Sequence, residues 1–421
     1  MSQIIRSVKG TRDWYPEEMA RRTWLYQLMR QVSEQFGYQE WEAPILETLE
    51  LYAAKSGEEL VKEQSFVFAD RGGDSITLRP ELTPSLARMV AQRLNQLPRP
   101  IRWWSFGPFW RYERPQKGRT REFFQWNVDL LGVDSLAADV EMLSIGIAFL
   151  QAAGLTSEQV VLRINNRALM NAQLAQLGID EALRPIALGL IDRIDKLSAE
   201  KWQAYGVEKG LTTEQVQALA ELLKDEQLWQ KSPHMQALFA LLEQVGLREW
   251  VCYDATIVRG LAYYTGIVFE ARDRAGEFRA IFGGGRYDNL VAAVGGDSFP
   301  AIGFAMGDMV IALVLEKFGL IPNLAGSTAK VLVTLFSETL LPHSLALATQ
   351  LRQAGIACEL YPTEQKMARQ FKYADQQRIP LAVVLGPDEV AQGLVTLKDL
   401  RTATQQQLPQ SALIEAVRQT R

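Results

Sequence analysis

Two arginine-bearing segments hold the residues best suited to chemistry in this chain. The first, residues 109–129, reads FWRYERPQKGRTREFFQWNVD. Aromatic and β-branched ends enclose Arg111, Arg114, Lys117, Arg119 and Arg121, and Pro115 and Gly118 break the run, the pattern of two strands joined by a long cationic loop. Permanently charged guanidinium groups on such a loop suit a polyphosphate. Glu113, Glu122 and Asp129 stand among them at strand-like spacing, so one element could hold a phosphate and a cationic or hydrogen-bonding group side by side. A solvated, charge-laced hairpin is the alternative. The second segment, residues 256–266, reads TIVRGLAYYTG. A lone Arg259 in an apolar run is costly to bury unless an anion meets it. If the run is extended, Tyr263 and Tyr264 fall on opposite faces, one free for a ligand and one for packing.

Composition narrows the chemistry further. The chain has 421 residues, enough for two or three domains that each bury a core. Its 45 Lys and Arg against 49 Asp and Glu leave a formal charge of −4, which speaks against a uniformly basic surface but permits a local basic groove. Cys252 and Cys358 lie far apart in apolar contexts, as buried thiols do, and a reducing compartment fits them. His234 and His343 each follow a proline, and neither has a second His or Cys at ligand spacing, so neither zinc nor a His-based triad is expected. The N-terminal residues lack a signal-peptide core, and no stretch reaches the roughly 18 apolar residues of a membrane span. The expectation is a cytoplasmic protein with no membrane contact, whose chemistry rests on arginines, carboxylates and a nucleotide.

The elements that must position these residues are legible in outline. Over 16–36 the apolar residues Trp24, Leu25, Leu28, Met29, Val32 and Phe36 recur at three and four, predicting an amphipathic helix that ends near Gly37. YQEWEAPILET then reads as a strand interrupted by Pro44. Residues 76–98 run from a strand into a helix, with Glu81 and Thr83 at the junction where side chains can enter a cleft. A helix over 137–153, a strand over 160–166, the glycine-rich GGGRYDNL at 283–290 and a strand-to-helix run, GFAMGDMVIAL, at 303–313 complete an antiparallel sheet with helices around it. Between about 168 and 248 the periodicity is helical with few β-branched clusters, marking a small all-helical insertion. IPNLAGSTA at 321–329 has the composition of a linker. Beyond it strands alternate with helices, predicting a compact α/β domain with a mostly parallel sheet. Its helix EQKMARQFKYADQQ carries Lys366, Arg369, Gln370 and Lys372, suited to a phosphate backbone or to a solvated face.

These motifs match a known pattern. WRYERPQKGRTREFFQ resembles the second signature motif of class II aminoacyl-tRNA synthetases in the form found in histidyl-tRNA synthetases. VRGLAYYTG resembles the histidine-specific motif of that family, usually written RGLDYY, with Ala262 in place of the aspartate. KGTRD at 9–13, LRPELTPS at 78–85, GGGRYD and GFAMGD follow in the expected order, and the resemblance runs from residue 9 to about 400. It implies an α+β class II catalytic domain over 1–325, an antiparallel sheet flanked by helices with a helical insertion at about 168–248. It also implies a C-terminal α/β anticodon-binding domain over 328–421. In the family the insertion approaches the tRNA acceptor arm; a structural embellishment is the other reading. The first helix and strand would build a homodimer interface, or else face their own core.

The implied activity is ATP-dependent activation of L-histidine, with Mg2+, and transfer to tRNA(His). Arg111 and Arg259 would oppose charge developing at the α-phosphate. Glu113, Arg121 and Phe123 would join them around ATP. Histidine would be held by Glu81, Thr83 and Gln125 at its amino-acid end and by Asp129, Tyr263 and Tyr264 around the ring. Arg114, Gln116 and Arg119 would meet tRNA. Alternation places Arg121, Phe123, Gln125, Asn127 and Asp129 on one strand face. Three departures from the family stand out. Leu82 takes the place of a common glycine, Ala262 that of the aspartate, and Val310 that of the arginine that stacks on adenine, for which Arg286 is a possible substitute. Val310 is expected in a buried helix that an arginine would crowd. Val310 also favours a rival reading, a non-catalytic paralogue serving as regulatory subunit of ATP phosphoribosyltransferase; residues 328–421 and the intact Arg111, Gln125 and Arg259 oppose it. A pure tRNA- or amino-acid-binding module is a second rival.

Overall fold

The structure, a computed structural model, describes residues 4–53, 64–116, 118–258, 264–289, 292, 298–324 and 326–420. The chain divides into two compact units, Met1–Asp13 with Trp24–Ile321 and Trp14–Thr23 with Pro322–Arg421.

In the first unit the strands are β1 (Gln39–Glu40), β2 (Leu46–Thr48), β3 (Phe66–Ala69), β4 (Ser75–Leu78), β5 (Ile101–Trp110), β6 (Glu122–Leu131), β7 (Val160–Asn166), β8 (Val251–Tyr253), β9 (Ile267–Asp273), β10 (Phe282–Arg286) and β11 (Ala301–Gly307). Eight of them form one sheet in the order β1-β5-β6-β11-β10-β9-β7-β8, and β2-β4-β3 form a small separate sheet. The large sheet is antiparallel from β5 through to β7, with β1 and β8 added in parallel at the edges. The expected strand over YQEWEAPILET is split. Its first part pairs with β5 and its second joins the small sheet, because Pro44 has no N–H with which to continue a ladder.

Helix α1 (Pro16–Gln35) buries Leu25, Met29 and Val32, and the chain turns away at Gly37, whose φ of +78° suits a residue without Cβ. The short α2 (Leu49–Ala53) and then α3 (Thr83–Arg93) follow. Helix α4 (Leu136–Ala152) starts at Ser135, whose side chain accepts from the Ala138 N–H at 3.3 Å. Helices α1 and α4 pack with one sheet face into the main core, through Trp104, Trp126, Val128 and Leu130, whereas α3 packs into a second cluster with Phe109 and Leu131. The helical stretch comprises α5 (Arg167–Gln176), α6 (Arg184–Ile191), α7 (Ala199–Glu208), α8 (Thr213–Leu222) and α9 (Pro233–Gln244). Asn166, Ser198, Thr212 and Ser232 cap α5, α7, α8 and α9 with side-chain oxygens, which fixes helix starts in a segment of short helices. Helix α10 (Asp308–Lys317) leaves the end of β11.

The second unit holds β12 (Val331–Val333), α11 (Leu341–Gln353), β13 (Cys358–Leu360), α12 (Met367–Gln376), β14 (Leu381–Val384), α13 (Pro387–Gln392), β15 (Leu394–Asp399), β16 (Thr404–Pro409) and α14 (Leu413–Gln419). The sheet order is β13-β12-β14-β15-β16, and only the first three strands are parallel. The expected mostly parallel sheet stops at β14 because the link to β15 is shorter than the dozen or so residues a parallel crossover takes. Strand β16, TQQQLP, is almost wholly exposed, so no apolar alternation betrays it in the sequence. Gln370 on α12 is fully buried, accepting from Leu335 N–H and donating to the Leu335 and Gln365 carbonyls, so it holds backbone and is not part of the cationic face.

Candidate active-site cleft

The second face of the large sheet is built differently from the first. Cross-strand register puts Gly107 beside Gln125, Gln125 beside Gly307, Asn127 beside Ala305, Asp129 beside Gly303, and then Gly283 and Gly285 beside Ala305 and Gly303. Residues two apart share a face, so the middle of this face carries nothing longer than a methyl group on β10 and β11. Space is left above it. An open cleft of about 800 Å³ lies between Phe123 and Gln125 on one side and Glu270 and Arg272 of β9 on the other.

The hairpin β5–β6 supplies one wall. Arg111, Glu113, Arg119, Phe123 and Gln125 all line it, so five of the expected residues come together. Four aromatic and cationic groups are layered there. The fully buried Arg79 guanidinium lies 4.6 Å over Phe109, Phe109 stacks on Phe123 at 5.9 Å, and Arg111 lies 5.3 Å over Phe123. Arg79 also pairs with Glu42 and donates to the Ala43 and Pro108 carbonyls, and Gly107 makes room for it, since a Cβ there would sit 2.3 Å from its Nη2. Arg111 Nε donates to the Pro80 carbonyl at 3.0 Å, tying the arginine to the turn that carries Glu81 and Thr83. Glu81 is buried there and Thr83 begins α3; neither is among the lining residues.

Asp129 lies deeper on the same face. It accepts from the Tyr287 hydroxyl, and Gly303 accommodates it, since a Cβ there would fall 2.3 Å from its Oδ1. Gly285, in register with Gly303, likewise accommodates the Tyr264 ring, so Asp129 and Tyr264 occupy neighbouring positions on two adjoining glycines. Burial pushes the Asp129 carboxyl up to about 7, with Tyr287 drawing it partly back.

Three expectations are corrected. Arg121 does not share the face of Phe123 and Gln125: it precedes β6, so strand alternation does not yet apply, and its guanidinium lies 4.0 Å over Tyr112 and donates to the Glu113 carbonyl. Arg119, expected to meet tRNA with Arg114 and Gln116, lines the cleft and pairs with Glu113, whereas Arg114 and Gln116 are exposed. Arg286 is spent elsewhere. It is 4% exposed and binds Asp139 at 2.7 Å together with the Val133 and Ser135 carbonyls. Arg259, Tyr263, Ala262 and Lys117 lie outside the described residues; Thr256, Ile257 and Val258, which lead into Arg259, line the cleft.

The family model for histidyl-tRNA synthetase matches residues 10–309, and that for an anticodon-binding domain matches residues 330–420. The chain belongs to the histidyl-tRNA synthetase family. It is similar to the histidine–tRNA ligase of Opitutus terrae, 38% identical over 430 residues and covering 98% of each chain. The chloroplastic/mitochondrial histidine–tRNA ligase of Arabidopsis thaliana is 37% identical over 97% of this chain and 86% of the relative. The crystal structure of histidyl-tRNA synthetase from Nostoc sp. PCC 7120 matches with a TM-score of 0.83 at 26% identity, covering 99% of each. The antiparallel catalytic sheet with flanking helices and the separate C-terminal anticodon-binding domain are the architecture of a class II histidyl-tRNA synthetase.

Among the described residues, Val310 is a departure from the histidyl-tRNA synthetase pattern that lines the cleft. It lies in the first turn of α10, half-buried and lining the cleft, not in a sealed core as expected. Gly118 of the hairpin loop approaches it, with a Cβ position 3.9 Å from its side chain. Leu82 is buried in the second hydrophobic cluster with Leu86 and Phe109. The far wall went unread in the sequence. It consists of the Glu270–Arg272 ion pair, Glu277 and Arg279, together with Asp192, Asp195 and Lys196 from the end of α6. A signal was present: charges at 270 and 272 share one face of IVFEARD, and a charged face on an otherwise buried strand marks a site.

Proposed function

We propose that this chain activates L-histidine with ATP to histidyl-adenylate and transfers the histidyl group to the 3′ end of tRNA(His). The observation that carries the reading is the clustering of Arg111, Glu113, Phe123 and Gln125 on one wall of an open cleft. In-line attack of the carboxylate builds charge on the α-phosphate oxygens, and a fixed guanidinium stabilises it without reorganising. Arg111 is held for that task by Pro80 and Phe123, and Arg259 is its partner. Phe123, layered between Phe109 and Arg111, borders the adenine site from the cleft wall. Magnesium neutralises phosphate charge when bound; it takes most ligands from phosphates and water, so one or two carboxylates suffice, and Glu270 and Glu277 lie along the lining. Gln125, Glu81 and Thr83 take the amino-acid end of histidine, and Asp129, Tyr263 and Tyr264 surround the ring. Arg114, Gln116 and the C-terminal domain meet tRNA, with residues 1–325 as catalytic domain and 328–421 as anticodon domain. The protein works as a cytoplasmic homodimer.

Histidine-dependent pyrophosphate exchange and tRNA charging test this directly. Arg111→Ala and Arg259→Ala should each slow adenylate formation by ~10²–10³ and be strongly non-additive, with histidine affinity little changed. Small additive losses would separate the two arginines, and a parent protein that neither exchanges nor charges would favour the regulatory paralogue.

A further inference from the structure

The N-terminal segment reaches the cleft through one side chain. Arg12 is half-buried, and its Nη2 donates to Asp308 Oδ2 at 2.9 Å across 296 positions of sequence. Its Nη1 donates to Met309 Sδ at 2.6 Å, so one guanidinium spans the first two residues of α10. Asp308 is 5% exposed and lines the cleft with Met309 and Val310. Its second oxygen, Oδ1, accepts the Phe124 N–H at 3.0 Å. That bond stands where the sheet runs out. The β6–β11 ladder extends from Leu131 opposite Ala301 to Gln125 opposite Gly307 and ends there, because the chain turns into α10. Beyond Gln125 the Asp308 carboxylate takes over from β11 and accepts the next backbone N–H of β6. Phe123 follows at once, on the cleft wall with Arg111 5.3 Å over its ring. On the other side of Phe123, the Gly10 carbonyl accepts the Arg121 and Glu122 N–H groups at 2.9 and 3.1 Å. The N-terminal segment thus grips β6 on both sides of Phe123, directly through Gly10 and by way of Asp308 through Arg12.

We infer that Arg12 is a positioning residue for nucleotide binding, holding the Asp308 carboxylate where that carboxylate fixes β6 beside Phe123. The inference rests on ATP being the substrate, as proposed above. A carboxylate bonded through one oxygen alone still turns about its terminal torsion, which is broad and soft. A charge-assisted bond from a guanidinium to the other oxygen sets its plane. Taking both charges out of water offsets much of their attraction, so the worth of the pair lies in the geometry it imposes more than in net stability. The consequence falls on one side of the site. Gln125 has a ladder neighbour on either side, Gly107 and Gly307, whereas Phe123 has one, Phe109 on β5. Loss of Arg12 therefore reaches Phe123 before Gln125, and with it ATP before histidine.

Calorimetric titration of the full-length protein with ATP and with L-histidine, beside thermal unfolding of each variant, tests the assignment. Arg12→Ala should weaken ATP roughly 3–10-fold, the range for a residue acting through a neighbour, and leave histidine affinity unchanged. Asp308→Asn, with one acceptor oxygen where two are used, should weaken ATP by a similar factor. The double variant should lose no more than either, because the two residues act as one unit. Arg12→Lys, which returns a cation to Asp308, should recover part of the loss. A purely structural pair would instead lower the unfolding midpoint with both affinities unchanged, or with both weakened alike. Either result, or additive losses in the double variant, overturns the inference. Should Arg12→Ala fail to fold, the isosteric Asp308→Asn decides, and parental ATP affinity in it overturns the inference. A parent that binds ATP but makes no adenylate overturns the proposed function alone, and the ATP titrations still decide the role of Arg12. A parent that binds no ATP overturns both.

Discussion

Asp129 and Val310 are the two single residues whose behaviour the structure makes most specific. Burial holds the Asp129 carboxyl at about 7, whereas in an unfolded chain it titrates near 4 (roughly,). Between about pH 4 and pH 7 the folded protein therefore keeps a proton the unfolded chain has released, and stability falls as pH rises through that window. Asn at this position carries no such proton. The advantage of Asp129→Asn over the parent should grow across the window by a few kcal/mol, on the order of the linkage for a shift of this size, and stay level above it. Urea unfolding of both proteins from about pH 4 to about pH 8 measures this, and a difference independent of pH would contradict the buried, raised carboxyl. Val310 lines the cleft, so the long side chain of Val310→Arg can extend into open space. The expected cost is only the roughly 0.3–1 kcal/mol of a cation near a helix N-terminus, read by thermal unfolding. A loss of several kcal/mol would show the site to be closed. Tighter ATP binding by this variant would mean that the parent lacks part of an adenine clamp.

At the scale of elements, the β5–β6 hairpin and the glycine strands beside it do complementary work. The hairpin's alternation sends Trp126, Val128 and Leu130 into the core and Phe123, Gln125, Asn127 and Asp129 to the other face. Strands β10 and β11 withhold side chains so that this second face stays open. Gly303→Ala tests that division of labour. A Cβ there would lie 2.3 Å from Asp129 Oδ1 and 2.7 Å from the Val128 carbonyl. The carboxylate must move, and displacing a ligand-orienting group by about 1 Å is enough for a loss on the order of 10²-fold. The histidine KM in pyrophosphate exchange should rise accordingly, with the ATP KM little affected. A normal histidine KM would remove Asp129 from the pocket. Elements are also where His234 acquired a partner: its Nε2 lies 2.9 Å from Asp139 Oδ2, linking α9 to the start of α4 and, through Asp139, to Arg286 on β10. Nothing around His234 in the sequence indicated this, because its partner lies 95 positions away.

For the whole molecule, each unit has its own apolar clusters. Trp126, Phe269 and Phe304 belong to the first, and Val331, Val383 and Leu397 to the second. A chain ending before residue 322 should therefore still fold its catalytic sheet and form adenylate at near-parental rate, while charging tRNA poorly, because the lost contacts are to tRNA and not to ATP. Equal charging by the truncated and full-length proteins would remove the anticodon role. One complication is specific to this chain. Trp14–Thr23 belongs with Pro322–Arg421, and α1 begins within it. The first turns of α1 should fray in the truncated protein, which amide exchange across residues 16–23 would report.

The sequence by itself determined what depends on neighbours along the chain. Helix and strand periods, the cationic hairpin and the ordered motifs made the fold class and the Arg111, Glu113, Phe123 and Gln125 wall legible. Only the tertiary structure decided what depends on register between distant strands and on which partner a charge finds. Arg119 turned inward because Glu113 waits there, Arg286 was taken by Asp139, and Arg121 fell outside the strand whose alternation it was expected to obey. The far wall, Glu270 and Arg272 of β9 with the end of α6, comes from segments remote in sequence from the hairpin. An arginine reads alike in sequence whether it meets a phosphate or a carboxylate. Long-range packing fixes its surroundings, and burial makes the choice of partner energetically decisive.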